Sequence, residues 1–377
     1  MKVRLPRGVL FQVHLWLGVS LGFYICLISL SGAALLFRIE LQRLEFPHLL
    51  TPTSTAVNVD VAEVVGNLRV AYARGDVIGV DAPTTARPVY LGYVSDHEGF
   101  HTVLADPATG NILGELPDRS AIATLQNLHF NLMSGEVGEL VNGIGALCLA
   151  LLGITGAVIW WPGRKRWRQR LTVRWRGNPE RRLWELHGAT GAWSVVLILL
   201  WAVTALSFTF PRQFRAVVNV VSPLSHNGHP ESNPRLAGSA MEERPALRDL
   251  IARAAERMPR QHVARVVLPS TPSDPVQVLF SPQRPTPAFT MDLTPVFLDQ
   301  YSGKVMPALP RYASMGDRIL EWAGPLHVGN FGGWAIRVLW LIVGLAPSVL
   351  FVTGFITWWR RVVRPAYAPA SAAAPNA

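Results

Sequence analysis

Residues Leu128–Trp161 read LHFNLMSGEVGELVNGIGALCLALLGITGAVIWW, and Leu326–Trp359 read LHVGNFGGWAIRVLWLIVGLAPSVLFVTGFITWW. The second stretch matches the first at a constant offset of 198 residues: His129 falls on His327, Thr155-Gly156 on Thr353-Gly354, and Trp160-Trp161 on Trp358-Trp359. Each copy opens on one histidine, runs through an uncharged apolar segment and closes on a Trp pair followed by arginines. A second pair of segments repeats at an offset of 173, aligning His14, Gly18 and Ser31 with His187, Gly191 and Thr204. The chain therefore reads as a duplicated unit, each half carrying two apolar spans and one histidine per span.

Residues 8–37, 140–161, 186–211 and 338–359 contain no Asp, Glu, Lys or Arg. Each reaches the ~20 residues a helix needs to cross ~30 Å of hydrocarbon, so four transmembrane helices are predicted. The first run is too long for the apolar core of a signal peptide, although Ser31-Gly32-Ala33 resembles a cleavage site; it reads as an uncleaved anchor. The net charge of +10 is unevenly spread. Three Lys/Arg precede the first span, nine lie between Arg164 and Arg182, and three follow the fourth span, against a single acid, Glu180. The remaining 20 basic and 24 acidic residues leave the rest of the chain mildly acidic. This positive-inside pattern places both termini and the 162–182 loop in the cytoplasm and the two long connections outside. It also removes nucleic-acid binding as a reason for the charge. Cys26 and Cys148 fall inside predicted helices as packing residues, with no disulfide framework.

The first connection, residues 38–125, holds an amphipathic helix (VAEVVGNLRVAYA) and strand-like runs (RPVYLGYVS, FHTVLADPATGNILGEL). The second, about 212–320, repeats this logic with ALRDLIARAAERM, HVARVVLPS, DPVQVLFS and TPVFLDQYSGKVM. Asp106–Gly110 and Asp299–Gly303 are matching turns between strands, with glycine available for positive φ. Between the third span and the helix ALRDLIARAAERM, SPLSHNGHPESNPRLAGS reads as a mobile loop. His97-Glu98-Gly99-Phe100-His101 satisfies the zinc-protease pattern H-E-x-x-H, but that chemistry needs both histidines on one helix face. Here the five residues join two strand-like runs, so they are predicted to form a solvated hairpin turn. His48, His226, His229 and His262 read as exposed residues.

The four repeat-paired histidines carry the functional reading. The first and third spans run outward, which puts His14 and His187 at one depth near the cytoplasmic face. The second and fourth run inward, which brings His129 and His327 together near the outer face, each expected on a short helical turn bent at nearby glycines. A pseudo-two-fold axis along the membrane normal sets each histidine opposite its copy. A histidine within a span is by default functional, because an unpaired polar ring is costly there. Imidazole is a natural axial ligand of haem iron, so two bis-histidine b-type haems are expected, held by His14 with His187 and His129 with His327. Proton relay and helix–helix hydrogen bonding are the alternatives. Gly18 and Gly191, one turn after the inner histidines, would leave a side-chain-free patch for a flat group; a small-residue packing seam including Gly22 is the plainer reading. Arg38, Arg212, Arg215 and Arg337 near the outer ends could pair with haem propionates or snorkel to headgroups. There is no C-x-x-C-H for covalent haem and no nucleotide or flavin fingerprint, so the donor would be a quinol, a separate reductase or a small reductant.

Two transmembrane hairpins, each enclosing a domain with a D-x-x-[ST]-G turn, followed by L-H and closing on T-G-x-x-x-W-W plus basic residues, resemble the PepSY-associated transmembrane family over residues 9–364. Within it the chain is similar in size and histidine placement to inner-membrane ferrisiderophore reductases of the FoxB type. The resemblance implies a di-haem protein that passes electrons across the bacterial inner membrane to periplasmic ferric siderophore, releasing Fe(II). The fold class expected is membrane α+β, a four-helix bundle with two periplasmic PepSY-like α/β domains. Its segments are helix 8–37, domain 38–125, ligand turn and helix 126–161, cytoplasmic loop 162–183, helix 184–211, domain 212–320, ligand turn and helix 321–359, and tail 360–377. Rival readings are a quinone-linked b-type cytochrome with another acceptor, a haem-free anchored binding protein, and a transporter. The transporter is disfavoured by the apolar middles of the spans.

Overall fold

The computed structural model describes residues 7–54, 56–176, 178–224, 230–234, 244–282, 293–307 and 314–364. His226, His229, most of the expected mobile loop and the tail beyond residue 364 lie outside them. In chain order the helices are α1 (Arg7–Leu35), α2 (Arg38–Glu45), α3 (Pro47–Leu50), α4 (Val61–Ala71), α5 (Ala121–Asn131), α6 (Gly135–Trp160), α7 (Pro179–Thr209), α8 (Pro211–Val221), α9 (Leu247–Arg257), α10 (Met315–Val328), α11 (Gly333–Gly344) and α12 (Ala346–Trp358). The strands are β1 (Asp76–Asp81), β2 (Tyr90–Ser95), β3 (Phe100–Ala105), β4 (Ile112–Glu115), β5 (His262–Val267), β6 (Val276–Ser281) and β7 (Thr294–Leu298). They fall into two compact units, Met1–Leu36, Thr124–Ala216 and Leu326–Ala377 in one, Phe37–Ala123 and Val217–Pro325 in the other.

The first unit is a helical bundle. Among the described residues, four helical spans are long and apolar enough to cross a membrane: Arg7–Leu35, Gly135–Trp160, Pro179–Thr209 and Gly333–Val363. With no water in hydrocarbon, a helix alone satisfies the backbone of such a segment. Large apolar side chains such as Phe23, Trp193, Val196 and Ile342 are exposed on the spans, which suits a lipid surround. α1 packs on α6 and α12, and α7 packs on the same two, so α1 and α7 face one another diagonally. The Tyr24 ring lies on Gly145, and the Phe351 ring fills the space where a Gly22 side chain would stand. Gly22 therefore belongs to helix packing. The 162–178 connection is tied to α7 through buried Glu185, which accepts hydrogen bonds from the Arg174 backbone N–H (2.9 Å), Arg174 Nε (3.0 Å) and Arg181 Nε (2.9 Å).

Two local features depart from the sequence reading. The outer histidines do not ride on short turns: α5 and α10 are helices of 11 and 14 residues. The reversal from α5 into α6 runs through Leu132, Met133 and Gly135, all at positive φ, and Gly138 allows the Asn131 carbonyl to approach so closely that no side chain fits. The fourth span, expected as one helix, is broken between α11 and α12 at Leu345. Pro347 in the first turn of α12 has no N–H to continue the ladder. At the break the Ser29 hydroxyl of α1 donates to the Gly344 carbonyl.

Among the described residues, the second unit holds one antiparallel sheet in the order β4-β3-β2-β1-β5-β6-β7. Both strand-rich connections contribute to it, so the two expected domains share a single sheet. The join is β1 against β5, with Gly79 opposite Val267, Val80 opposite Val266 and Asp81 opposite Arg265. Gly79 lacks a side chain where the Val266 carbonyl comes within 2.6 Å of a would-be Cβ. Pairing these strands removes what would otherwise be two open edges. Helices α4 and α9 bury Val64, Val65, Leu68, Leu250 and Ala254 with Val80, Val94, Val266, Val278 and Phe280 of the strands. β1 is not marked out by the sequence pattern; the other strands and both helices are. The two D-x-x-[ST]-G turns form as expected: Asp106 Oδ1 accepts from the Ala108 and Thr109 N–H groups, Asp299 Oδ1 from those of Tyr301 and Ser302, and Gly110 and Gly303 take φ of 71° and 67°.

Candidate functional site: two histidine pairs in the bundle

His14 on α1 and His187 on α7 meet across the bundle with ring centroids 6.3 Å apart and planes at 88°. His129 on α5 and His327 on α10 form a second pair, centroids 6.4 Å apart and planes at 51°. The pairing expected from the repeats is the pairing observed.

All four rings are held by the same device. His14 Nδ1 lies 3.1 Å from Thr155 Oγ1, His187 Nδ1 3.1 Å from Thr353 Oγ1, His129 Nδ1 3.1 Å from Ser31 Oγ, and His327 Nδ1 2.9 Å from Thr204 Oγ1. Each hydroxyl already donates its own hydrogen to a carbonyl one turn back: Leu151 for Thr155, Val349 for Thr353, Ile28 for Ser31 and Leu200 for Thr204. The hydroxyl can then only accept, so Nδ1 must carry the proton. A second acceptor for that proton is a backbone carbonyl, Leu350 at 3.1 Å for His187 and Ile28 at 3.0 Å for His129. In each ring Nε2 is left as an unprotonated lone pair, and among the described residues nothing hydrogen-bonds to it.

Glycine backs three of the rings. A Cβ would meet His14 Cε1 at 3.0 Å from Gly156, His187 Cε1 at 3.2 Å from Gly354, and His129 Cε1 at 2.7 Å from Gly32. Gly18 and Gly191 behave differently from Gly22. A Cβ there would touch only Leu152 at 3.9 Å and Leu350 at 3.6 Å, ordinary contact distances, so helix packing does not demand glycine at either. The backbones of α5 and α10 are pinned from matching positions of the repeat: Asn142 Nδ2 donates to the His129 and Phe130 carbonyls at 2.8 Å, and Trp340 Nε1 to the Leu326 carbonyl at 3.0 Å. Tyr24 in turn donates to Asn142 Oδ1 at 2.9 Å.

The repeat singles out Ser31, Thr204, Thr155 and Thr353 as matched positions, but only the tertiary contacts reveal them as histidine partners. Asn142 and Trp340 escape the sequence reading, because their types differ between copies while their task is the same. The arginines are less uniform. Arg337 donates to the Leu36 carbonyl at 2.5 Å and stacks over Trp334. Arg212 and Arg215 are exposed on α8. Arg38 opens α2 in the sheet-bearing unit, where burial and then the nearby Arg87 cation lower its pKa, opposed by Tyr93.

An ion bonded by both Nε2 atoms at about 2.0–2.1 Å sets two imidazole centroids roughly 6.4 Å apart. Both pairs match that separation, with the tautomer that ligation requires. The His97–His101 motif does not: it forms the β2–β3 turn and the start of β3, with His97 exposed. His101 is more enclosed than a solvated turn residue. Its Nδ1 faces Glu115 at 2.5 Å and its Nε2 faces Asp96 at 2.9 Å. No curated protein matches the chain. The family model described as PepSY-associated TM region matches residues 11–361, nearly the whole length, and the chain belongs to that family.

Proposed function

We propose that this chain is a di-haem oxidoreductase of the bacterial inner membrane that passes electrons across the bilayer to reduce periplasmic ferric siderophore. One observation carries the reading: four imidazoles, each held through Nδ1, stand in two pairs with ring centroids 6.3 and 6.4 Å apart, the separation expected of two imidazoles that share one iron. Each pair would supply two ligands to such an ion, and among the described residues no group of three or more His, Cys, Asp or Glu could hold a metal ion. A b-type haem would supply the remaining ligands of an iron held by two histidines. Bound there, the haem would supply one-electron transfer. His14 and His187 would hold the inner group, with Gly18 and Gly191 leaving room beside it; His129 and His327 would hold the outer one.

On α1, His14 and Ser31 are 17 residues apart, and on α7 His187 and Thr204 are also 17 apart. At 1.5 Å per residue the two pairs stand roughly 25 Å apart along the bundle, close to the depth of the hydrocarbon. That spacing suits a protein that links one membrane face to the other. The arginine-rich 162–182 loop would face the cytoplasm and the sheet-bearing unit the periplasm. Lowering iron from Fe(III) to Fe(II) weakens its attraction to hard oxygen donors, so chelate reduction would release it.

Pyridine haemochrome analysis of the purified protein is expected to give about two haems per chain, six-coordinate and low-spin when oxidised. His14→Ala or His187→Ala should remove one haem, and His129→Ala or His327→Ala the other. A colourless preparation from haem-replete cells would refute the reading. Haem-containing protein that is oxidised by quinones and inert to ferric chelates would keep the cofactor and discard the siderophore.

A further inference from the structure

The Trp pairs that close the two repeats contain two kinds of side chain. Trp161 and Trp359 are 47% and 48% exposed, as interfacial anchors are expected to be. Trp160 and Trp358 differ: the Nε1 of each is buried and meets no acceptor among the described residues. A buried N–H left unsatisfied is costly, so its appearance at both matching positions asks for an acceptor. The indole of Trp340, by contrast, has one in the Leu326 carbonyl.

Both orphaned donors lie one helical turn beyond the glycines that back the inner histidine rings. Trp160 follows Gly156, the residue against the His14 ring, by four positions, and Trp358 follows Gly354, against the His187 ring, by the same four. Four residues on is the same helix face one turn along, about 6 Å nearer the arginine-rich end. The Trp160 indole also lies on Gly188, where a Cβ would meet Nε1 at 3.5 Å, and Gly188 directly follows His187. Arg7 Nη2 donates to the Trp161 carbonyl at 3.3 Å, which sets a cation at the same end.

We infer that Trp160 and Trp358 donate hydrogen bonds to the carboxylates of the prosthetic group held between His14 and His187. This rests on the di-haem reading. A carboxylate accepts and cannot donate, so it is the complement of an indole N–H, which donates and cannot accept. A neutral donor suits a buried site because it brings no charge of its own to desolvate. The two tryptophans would thus fix which edge of the group faces the cytoplasmic end and moderate its negative charge.

The test is a spectroelectrochemical titration of the purified full-length protein and of Trp160→Phe, Trp358→Phe and the double variant. The haem count and the rate of haem transfer to excess apomyoglobin are measured alongside. The variants should keep two haems per chain. Loss of the donors leaves more negative charge beside the iron, favouring Fe(III), so the potential of the haem that depends on His14 should fall. A shift of up to tenfold in its ferrous:ferric ratio corresponds to about 59 mV for one electron. Its transfer to apomyoglobin should quicken, while the haem that depends on His129 stays unchanged. Trp161→Phe with Trp359→Phe should alter neither. Two haems with unmoved potential and transfer rate in the single and double variants would overturn the assignment while leaving the di-haem reading intact. An equal shift in the Trp161/Trp359 control would overturn it as well, and a colourless wild-type protein would overturn both.

Discussion

At the scale of the residue, the histidines matter because of what holds them. A Ser or Thr hydroxyl whose hydrogen is spent on its own helix can only accept, and that fixes the proton on Nδ1 and bares Nε2. Thr155→Val and Thr353→Val keep the shape and remove the acceptor. Each is expected to weaken haem retention at the inner site about 10–100-fold, read by apomyoglobin transfer, without disturbing the outer site. His101 is held for a different purpose. Hydrogen bonding to Glu115, then to Asp96, raises its pKa from 6.5 to about 9. A raised folded pKa adds stability that is complete below pH 6.5 and is lost as pH rises through about 9. The melting-temperature gap between wild type and His101→Gln should therefore be widest near pH 6.5 and close above pH 9. Glu98→Gln should leave activity unchanged and no stoichiometric zinc should copurify; loss of function with tightly bound zinc would restore the metalloprotease reading of this motif.

At the scale of the element, the connections are shaped by polar groups that hydropathy does not register. Glu185 gathers the Arg174 backbone and two guanidinium groups, so the basic segment before α7 is fastened and not merely repelled into water. Glu185→Ala should speed trypsin cleavage at Arg174 and Arg176 several-fold in detergent-solubilised protein; an unchanged digestion rate would show that other contacts hold the segment. The α11–α12 break illustrates the same point. Leu-Ala-Pro-Ser at 345–348 interrupts no apolar run in a hydropathy plot, yet Pro347 breaks the ladder and Ser29 donates to the Gly344 carbonyl. The matching residues of the first repeat, Leu147-Cys148-Leu149-Ala150, carry no proline and continue unbroken through α6.

At the scale of the whole molecule, two predictions separate the units. In the sheet-bearing unit, buried Asp81 accepts from Arg265 across the β1–β5 join, from Arg87 at 3.3 Å and from Tyr93 at 3.0 Å. Asp81→Ala strands two guanidinium groups and should cost about 3 kcal/mol in denaturant unfolding, since removing one partner of a buried pair leaves the other charge uncompensated. For the membrane unit, the proposed direction of electron flow is tested in proteoliposomes of defined orientation. A bulky, impermeant ferric chelate should oxidise the reduced protein and yield ferrous iron only from the side of the sheet-bearing unit, and His327→Ala should abolish that fast reaction. Equal rates from both faces would refute the route.

The four spans, the pairing of the histidines and the two strand turns are legible in the amino-acid order. Each depends on composition or on local spacing, which a repeat displays twice: a 17-residue interval on a helix sets a depth whatever surrounds it. The remainder needs the folded chain, because it turns on which distant atoms meet. Nothing in Ser31 or Thr353 marks it as a histidine partner until α5 and α7 bring Nδ1 within 3.1 Å. Nothing local in DVIGVD or HVARVV shows that β1 and β5 pair, since strand edges carry the same backbone groups in every sequence and long-range pairing chooses between them. Likewise Trp160 and Trp161 are adjacent and identical in type, and burial alone makes one an anchor and leaves the other an unspent donor.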